Sequence, residues 1–256
     1  EDGIRDVERS RGLGDVYKRQ NLTMWVASAG ILYFRVKTKG KSVHAKKAYL
    51  GVNAIGKMNQ IYDALIKLDE YRGLKVRHPL FERYFEVIEG IKPTRSCCLN
   101  IGTYKAGDWP STVAGWATME CRISFLPGEK LEDVKKEVEK TIWHVSQLDP
   151  WLRENSPEVE WFGWRAEPWE QDLEHPLIKT FSKSYREIMG HDIEKVGTPS
   201  GVDARFCKYF NIPALLFGPI GKNHHGVDEY VEIDSIVKCT KILATFILNW
   251  CGLESL

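Results

Sequence analysis

The chain has 256 residues, 43% of them hydrophobic, and its 36 Lys and Arg stand against 35 Asp and Glu. That length and apolar content furnish one large or two ordinary domains, and a net charge of +1 excludes a general attraction to nucleic acid or anionic lipid. The six cysteines (Cys97, Cys98, Cys121, Cys207, Cys239, Cys251) show no paired metal spacing, and no apolar run reaches the roughly 18 to 20 residues that span a bilayer, so a reducing cytoplasm is the expected setting.

Residues 1–20 carry ten charges and three glycines without a sustained period, a composition expected to stay disordered. The run from Gly3 to Gln20 also resembles the translation of a sequencing adapter, so the natural chain is expected to begin upstream. Beyond it, Ile31 to Thr38 alternates apolar Leu32, Phe34 and Val36 with Tyr33, Arg35 and Lys37, which predicts a half-buried strand closed by Lys39-Gly40. The spacing Val52, Ile55, Met58, Tyr62, Leu65 then predicts a helix to about Glu70. His78-Pro79 breaks the next segment, with a short helical excursion from Leu80 to Ile88. Two strands follow, Leu99 to Tyr104 and Val113 to Phe125, joined by the turn-rich stretch from Lys105 to Ser111. After Pro127-Gly128 come an amphipathic helix through Leu131, Val134, Val138, Ile142 and Val145, and a short strand from Val159 to Phe162.

This β-α-β-β-α-β order from about Gly30 to Gly163 is that of a split βαβ, ferredoxin-like domain. The rest changes in style. A helix opens at Pro176, a glycine-rich turn spans Gly197 to Gly201, and a helix around Asp203 to Tyr209 precedes the buried strand Pro213 to Phe217. A last helix follows Asp234 as its N-cap. These are too few elements for a sheet-based domain of their own, so they read as the end of a larger α/β domain.

Between that last strand and helix lies the loop from Gly218 to Tyr230, with His224, His225, Asp228 and Glu229. A loop at a strand's end is where ligand sites of open α/β sheets collect, and neutral imidazole is the commonest protein metal ligand. A polar surface loop is the competing reading.

Several motifs agree in order: Gly40-Lys41-Ser42-Val43-His44-Ala45 with Gly51-Val52-Asn53-Ala54-Ile55, Asn100-Ile101-Gly102, Trp109-Pro110-Ser111-Thr112-Val113 with Arg122, Leu126-Pro127-Gly128-Glu129, Asp203-Ala204-Arg205-Phe206, and His225-Gly226-Val227-Asp228-Glu229. Together they resemble the metallohydrolases typified by acetylornithine deacetylase, succinyl-diaminopimelate desuccinylase, aminoacylase and carboxypeptidase G. The resemblance runs from Asn21 to Gly252. It implies residues 21–29 as the end of an N-terminal catalytic segment, 30–164 as a ferredoxin-like lid and dimerisation domain, and 165–256 as the C-terminal part of a zinc-hydrolase α/β domain. It also implies amide hydrolysis by metal-activated water, with two zinc ions, or cobalt or manganese in their place, and a homodimer formed through the lid.

By the same resemblance His225 is one metal ligand, and His44 is the lid histidine that reaches the partner's active site to steady an oxyanion. Arg122 is set against a substrate carboxylate, Ser111 and Thr112 lie in the loop that binds the same group, and Asn100 joins them as a substrate contact. Val202 stands where relatives place a hydroxyl residue, and Asp203 with Arg205 reads as an ion pair holding the loop. The family's other metal ligands and its general base precede the lid, in a region this chain does not include, and Lys18-Arg19-Gln20 stands where an acidic ligand is expected. The substrate implied is an N-acyl amino acid. A dipeptide, an N-formylated amine, and a non-catalytic dimerisation or binding module are the alternatives.

Overall fold

The computed structural model describes residues 21–223 and 227–252. The expectations for residues 1–20, and the assignment of His225 as a metal ligand, lie outside the described residues. In chain order the elements are β1 (Met24–Ser28), β2 (Gly30–Lys39), a 3-10 turn (Ala45–Leu50), α1 (Ala54–Lys75), α2 (Pro79–Tyr84), a π turn (Phe85–Glu89), β3 (Leu99–Ala106), β4 (Trp116–Phe125), α3 (Leu131–Leu148), α4 (Pro150–Glu154), β5 (Glu158–Ala166), β6 (Trp169–Glu170), α5 (Pro176–Met189), β7 (Lys195–Thr198), α6 (Ala204–Tyr209), β8 (Gly221–Lys222), β9 (Tyr230–Val231) and α7 (Ile233–Cys251). They divide into two compact units, one of residues 29–77 and 94–167 and the other of the remainder.

The first unit is a four-stranded antiparallel sheet in the order β3-β4-β2-β5. This is the strand order of the ferredoxin-like arrangement read from the sequence. β2 and β4 pair without a break from Gly30 opposite Phe125 to Lys39 opposite Trp116. The alternation in β2 sets the two faces: Leu32, Phe34 and Val36 are buried, while Tyr33, Arg35 and Lys37 are half-buried on the other side. α1 and α3 cover the apolar face, contributing Met58, Ile61, Leu65 and Leu68 from one and Val134, Val138 and Ile142 from the other.

Asn53 starts α1 by accepting the Ile55 amide on Oδ1 at 2.9 Å. The buried row of α1 is Ala54, Met58, Ile61, Leu65 and Leu68, whereas Ile55 and Tyr62 are 39% and 38% exposed. The predicted stripe therefore mixed two neighbouring rows, which a helix of period 3.6 allows when apolar residues occupy both. Near the end of α1 the buried Arg72 donates to Glu129 at 2.9 Å, to Glu137 at 2.5 Å and to the Ser124 carbonyl at 3.4 Å.

The second unit holds the sheet β6-β1-β7, in which β1 runs parallel to β7 and antiparallel to β6. The predicted strand Pro213 to Phe217 lies against β1 through an antiparallel bridge, Trp25 and Leu216 exchanging two hydrogen bonds of 2.9 Å. Phe181 of α5 packs between Phe217 and Phe246, its ring centroid 4.9 and 5.1 Å from theirs. The segment 78–93, which the sequence reading leaves inside the lid, belongs to this unit. Its α2 packs on β7 so closely that a Cβ at Gly197 would stand 2.8 Å from the Phe81 ring, and Arg83 pairs with Glu194 at 2.7 Å. The N-cap of α7 is Glu232, so Asp234 falls in the first turn, where a carboxylate still meets the positive end of the helix.

Candidate active site

The loop carrying His44 is built by close backbone approach. β2 ends at Lys39, and a Cβ at Gly40 would lie 2.4 Å from the Val52 carbonyl oxygen and 2.6 Å from that of Ala114. Only glycine fits there without moving one of these backbones. A Cβ at Gly51 would meet Val43 Cγ2 at 2.7 Å and the Lys41 carbonyl oxygen at 2.8 Å, whereas at Gly115 it would meet the Ser42 hydroxyl, which can rotate away. Around these contacts the Lys41 and Val52 backbones exchange hydrogen bonds of 2.8 and 3.1 Å, the Val113 amide donates to the Val43 carbonyl at 2.9 Å, and the Ala45 amide donates to the Ser111 carbonyl at 2.8 Å. His44 and Thr112 face each other across an antiparallel bridge. The structure thus brings together three residues that the sequence singled out separately, His44, Ser111 and Thr112, all of them exposed.

His44 is also the N-cap of the 3-10 turn, with extended backbone at φ −62° and ψ 139°. Its Nδ1 accepts the Lys46 amide at 3.2 Å.

Arg122 and Asn100 form a second group. The register of β3, β4, β2 and β5 sets Asn100, Arg122, Tyr33 and Phe162 in one row across the sheet, on the face away from α1 and α3. In the next row Arg35 donates to Glu120 at 2.6 and 2.9 Å and to Glu160 at 3.1 Å, and its guanidinium lies 4.6 Å over the Phe162 ring. Lys37, ahead of Arg35, holds the Glu160 carboxyl below the usual carboxylate range by hydrogen bonding. Arg122 therefore sits beside an arginine already committed to two carboxylates.

The two groups occupy different ends of the same strand. Six residues separate Trp116, where β4 leaves the His44 loop, from Arg122, which is about 20 Å of extended chain. That is a backbone span, which the side chains of Arg122 and His44 shorten from both ends.

In the other unit, Arg205 is buried and donates to the Val202 carbonyl at 2.9 Å, while its approach to Asp203 is 3.9 Å. The predicted ion pair is thus the looser of the two contacts. β8 and β9 pair antiparallel, Gly221 with Val231 and Lys222 with Tyr230. The Asn223 side chain donates to the Asp228 carbonyl at 3.2 Å, and both residues have left-handed backbone, φ 57° and 61°. Asp228 here shapes the turn through its backbone.

Among the described residues no three His, Cys, Asp or Glu come together as a metal site. They do not by themselves fit the dinuclear centre that the resemblance implies. What sequence reasoning missed was local: the capping bond at His44 and the juxtaposition of Ser42 with Gly115 leave no periodic signal.

Two facts now define the class. The first unit is a ferredoxin-like α/β sandwich presenting a glycine-pinned histidine loop, and residues 26–146 match the peptidase dimerisation domain. The chain is 27% identical over 243 residues to the N-formyl-4-amino-5-aminomethyl-2-methylpyrimidine deformylase of Halalkalibacterium halodurans, covering 91% of this chain and 54% of that one. It is 26% identical over 217 residues to the acetylornithine deacetylase of Vibrio cholerae serotype O1, covering 84% and 52%. Among solved structures, an M20 family metallo-carboxypeptidase from Sulfolobus solfataricus matches with TM-score 0.67 at 14% identity over 91% of this chain and 61% of that one, and a tripeptidase from Staphylococcus aureus with TM-score 0.66 at 18% identity over 91% and 55%. Through its dimerisation domain and these relatives the chain is similar to the M20 family of metallopeptidases and related amidohydrolases. It spans about half the length of the curated relatives it matches.

Proposed function

We propose that this chain is the lid and the C-terminal catalytic portion of a hydrolase that cleaves a linear amide between an acyl group and the amine of a small molecule. The observation that carries the reading is the His44 loop, where close contacts at Gly40 and Gly51 and a backbone ladder fix the backbone that carries one exposed imidazole beside Ser111 and Thr112. Rigid placement of a donor is what stabilising a tetrahedral oxyanion needs, since a donor that must reorganise loses its advantage. In this reading His44 donates to the oxyanion, Ser111 and Thr112 hydrogen-bond the substrate, and Arg122 with Asn100 recognises a carboxylate from the sheet. His225 serves as a ligand for zinc, or for cobalt or manganese, together with groups beyond the described residues. Dimerisation through the lid would present His44 to a second copy's site.

The test is a panel of short-chain N-acyl amines and N-acyl amino acids, assayed with the enzyme that contains this chain and with its His44→Ala and Arg122→Ala variants. His44→Ala is expected to lower kcat by about 100- to 1,000-fold, the cost of one oxyanion donor. Arg122→Ala is expected to raise KM only for substrates with a free α-carboxylate, and unchanged selectivity would remove that residue from the site. An N-formylated amine is the second reading. It is favoured by the deformylases of Halalkalibacterium halodurans and Bacillus subtilis, each 27% identical over at least 90% of this chain. Preference for formyl over acetyl substrates would decide for it. Light scattering that gives a monomer would count against the lid as the dimer interface.

A further inference from the structure

The hydrogen bond from the Lys46 amide to His44 has a consequence for the ring itself. A backbone N–H can only donate, so at 3.2 Å from Nδ1 it requires Nδ1 to be an unprotonated acceptor. The neutral ring then carries its proton on Nε2. The geometry points to a tautomer lock, in which the Lys46 backbone amide holds the exposed His44 as the Nε2–H imidazole, a hydrogen-bond donor and not a base at that atom. The inference rests on the reading of His44 as the oxyanion donor, and it deepens that reading by naming the group that sets the donor's proton.

The surrounding loop makes the lock selective. The Ala45 amide is engaged by the Ser111 carbonyl and the Lys47 amide by the His44 carbonyl, leaving the Lys46 amide as the donor turned toward the ring. The chain uses the same device with a different side chain nine residues later, where Asn53 Oδ1 takes the Ile55 amide at 2.9 Å. It uses it again with an imidazole at the start of α5, where His175 Nδ1 accepts the Leu177 amide at 3.1 Å. His191 supplies the opposite case. Its Nδ1 stands 3.0 Å from the Asp192 carbonyl oxygen, which can only accept, so there Nδ1 carries the proton. A locked donor suits an oxyanion, because the imidazole needs no tautomer exchange when charge develops.

The chain provides its own controls in one experiment. In nitrogen-15 spectra of the histidine rings, recorded at a pH where they are neutral, His44 and His175 are expected to show a bare Nδ1 and a protonated Nε2, and His191 the reverse. Exchange of the Lys46 amide with solvent should quicken about fivefold in His44→Ala and stay slow in His44→Asn, which can cap as Asn53 does. A protonated Nδ1 on His44, or Lys46 exchange equal in wild type and His44→Ala, would overturn the lock. The functional reading fails on different data. If His44→Ala hydrolysed substrate at the wild-type rate, His44 would not be the oxyanion donor, whatever its tautomer. With the lock and the reading both correct, His44→Asn keeps the slow Lys46 amide and loses catalysis about as severely as His44→Ala.

Discussion

Stability of the four-stranded unit should depend on pH through the Asp149 carboxylate, and replacing Asp149 by Asn should remove that dependence. Asp149 ends α3 and caps α4. Its Oδ1 accepts the Trp151 and Leu152 amides at 3.0 Å each, and its Oδ2 accepts Lys57 Nζ at 2.6 Å and Gln60 Nε2 at 3.0 Å from α1. Burial alone would raise its pKa, but the hydrogen bonds from Lys57, Gln60 and the Leu152 amide outweigh it and lower the value from 3.8 to about 2. That displacement corresponds to about 2.4 kcal/mol, and screening of the partly exposed Lys57 brings the expected contribution to about 1.5–2 kcal/mol. Because the folded pKa lies below the unfolded one, this stability is present in full above about pH 5. It is lost as pH falls through about 4 toward 2. Asn keeps the oxygen that caps α4 but sets an amide donor where Oδ2 accepts Lys57 and Gln60, so the substitution removes the charge together with that acceptor. Urea denaturation should show the variant less stable by about 1.5–2 kcal/mol at pH 7, with the gap closing near pH 2. A gap of constant size from pH 7 to pH 3, or none at pH 7, would refute the assignment.

Gly51→Ala places a methyl 2.7 Å from Val43 Cγ2 and 2.8 Å from the Lys41 carbonyl oxygen, so it should cost about 1–3 kcal/mol in thermal unfolding and shift the His44 ring resonances. Arg72→Ala leaves Glu129 and Glu137 facing each other beside a void at a side chain only 3% exposed, and a loss of about 3–5 kcal/mol is expected in denaturant titration. Arg83→Ala breaks an ion pair whose partners are 43% and 45% exposed, and the same titration should register less than about 1 kcal/mol.

The fold was legible where hydrophobic periodicity carried it. The alternation of Leu32, Phe34 and Val36 named both the strand and its buried face, and the order of strands and helices named the sandwich. Helix α1 shows the limit of the same signal. Apolar residues at both Ile55 and Ala54, and at both Tyr62 and Ile61, support two rows about 100° apart, and only the packing against β2 and β4 chooses between them. Residues 78–93 show another limit. The partner of that segment is β7, more than a hundred residues away, and a pattern confined to the segment says it is helical without saying what it covers.

The site was legible as residue types and illegible as distances. His44, Ser111 and Thr112 stand out in the sequence through the motifs that carry the family resemblance, and Gly40 beside them proves to be a place where backbones touch. Arg122 stands out by the same resemblance, but its distance from His44 depends on the register of β2 and β4, a long-range pairing. That register puts about 20 Å of strand between Arg122 and the start of the histidine loop. The side chains of Arg122 and His44 shorten that span from both ends, and no pattern along the sequence says by how much.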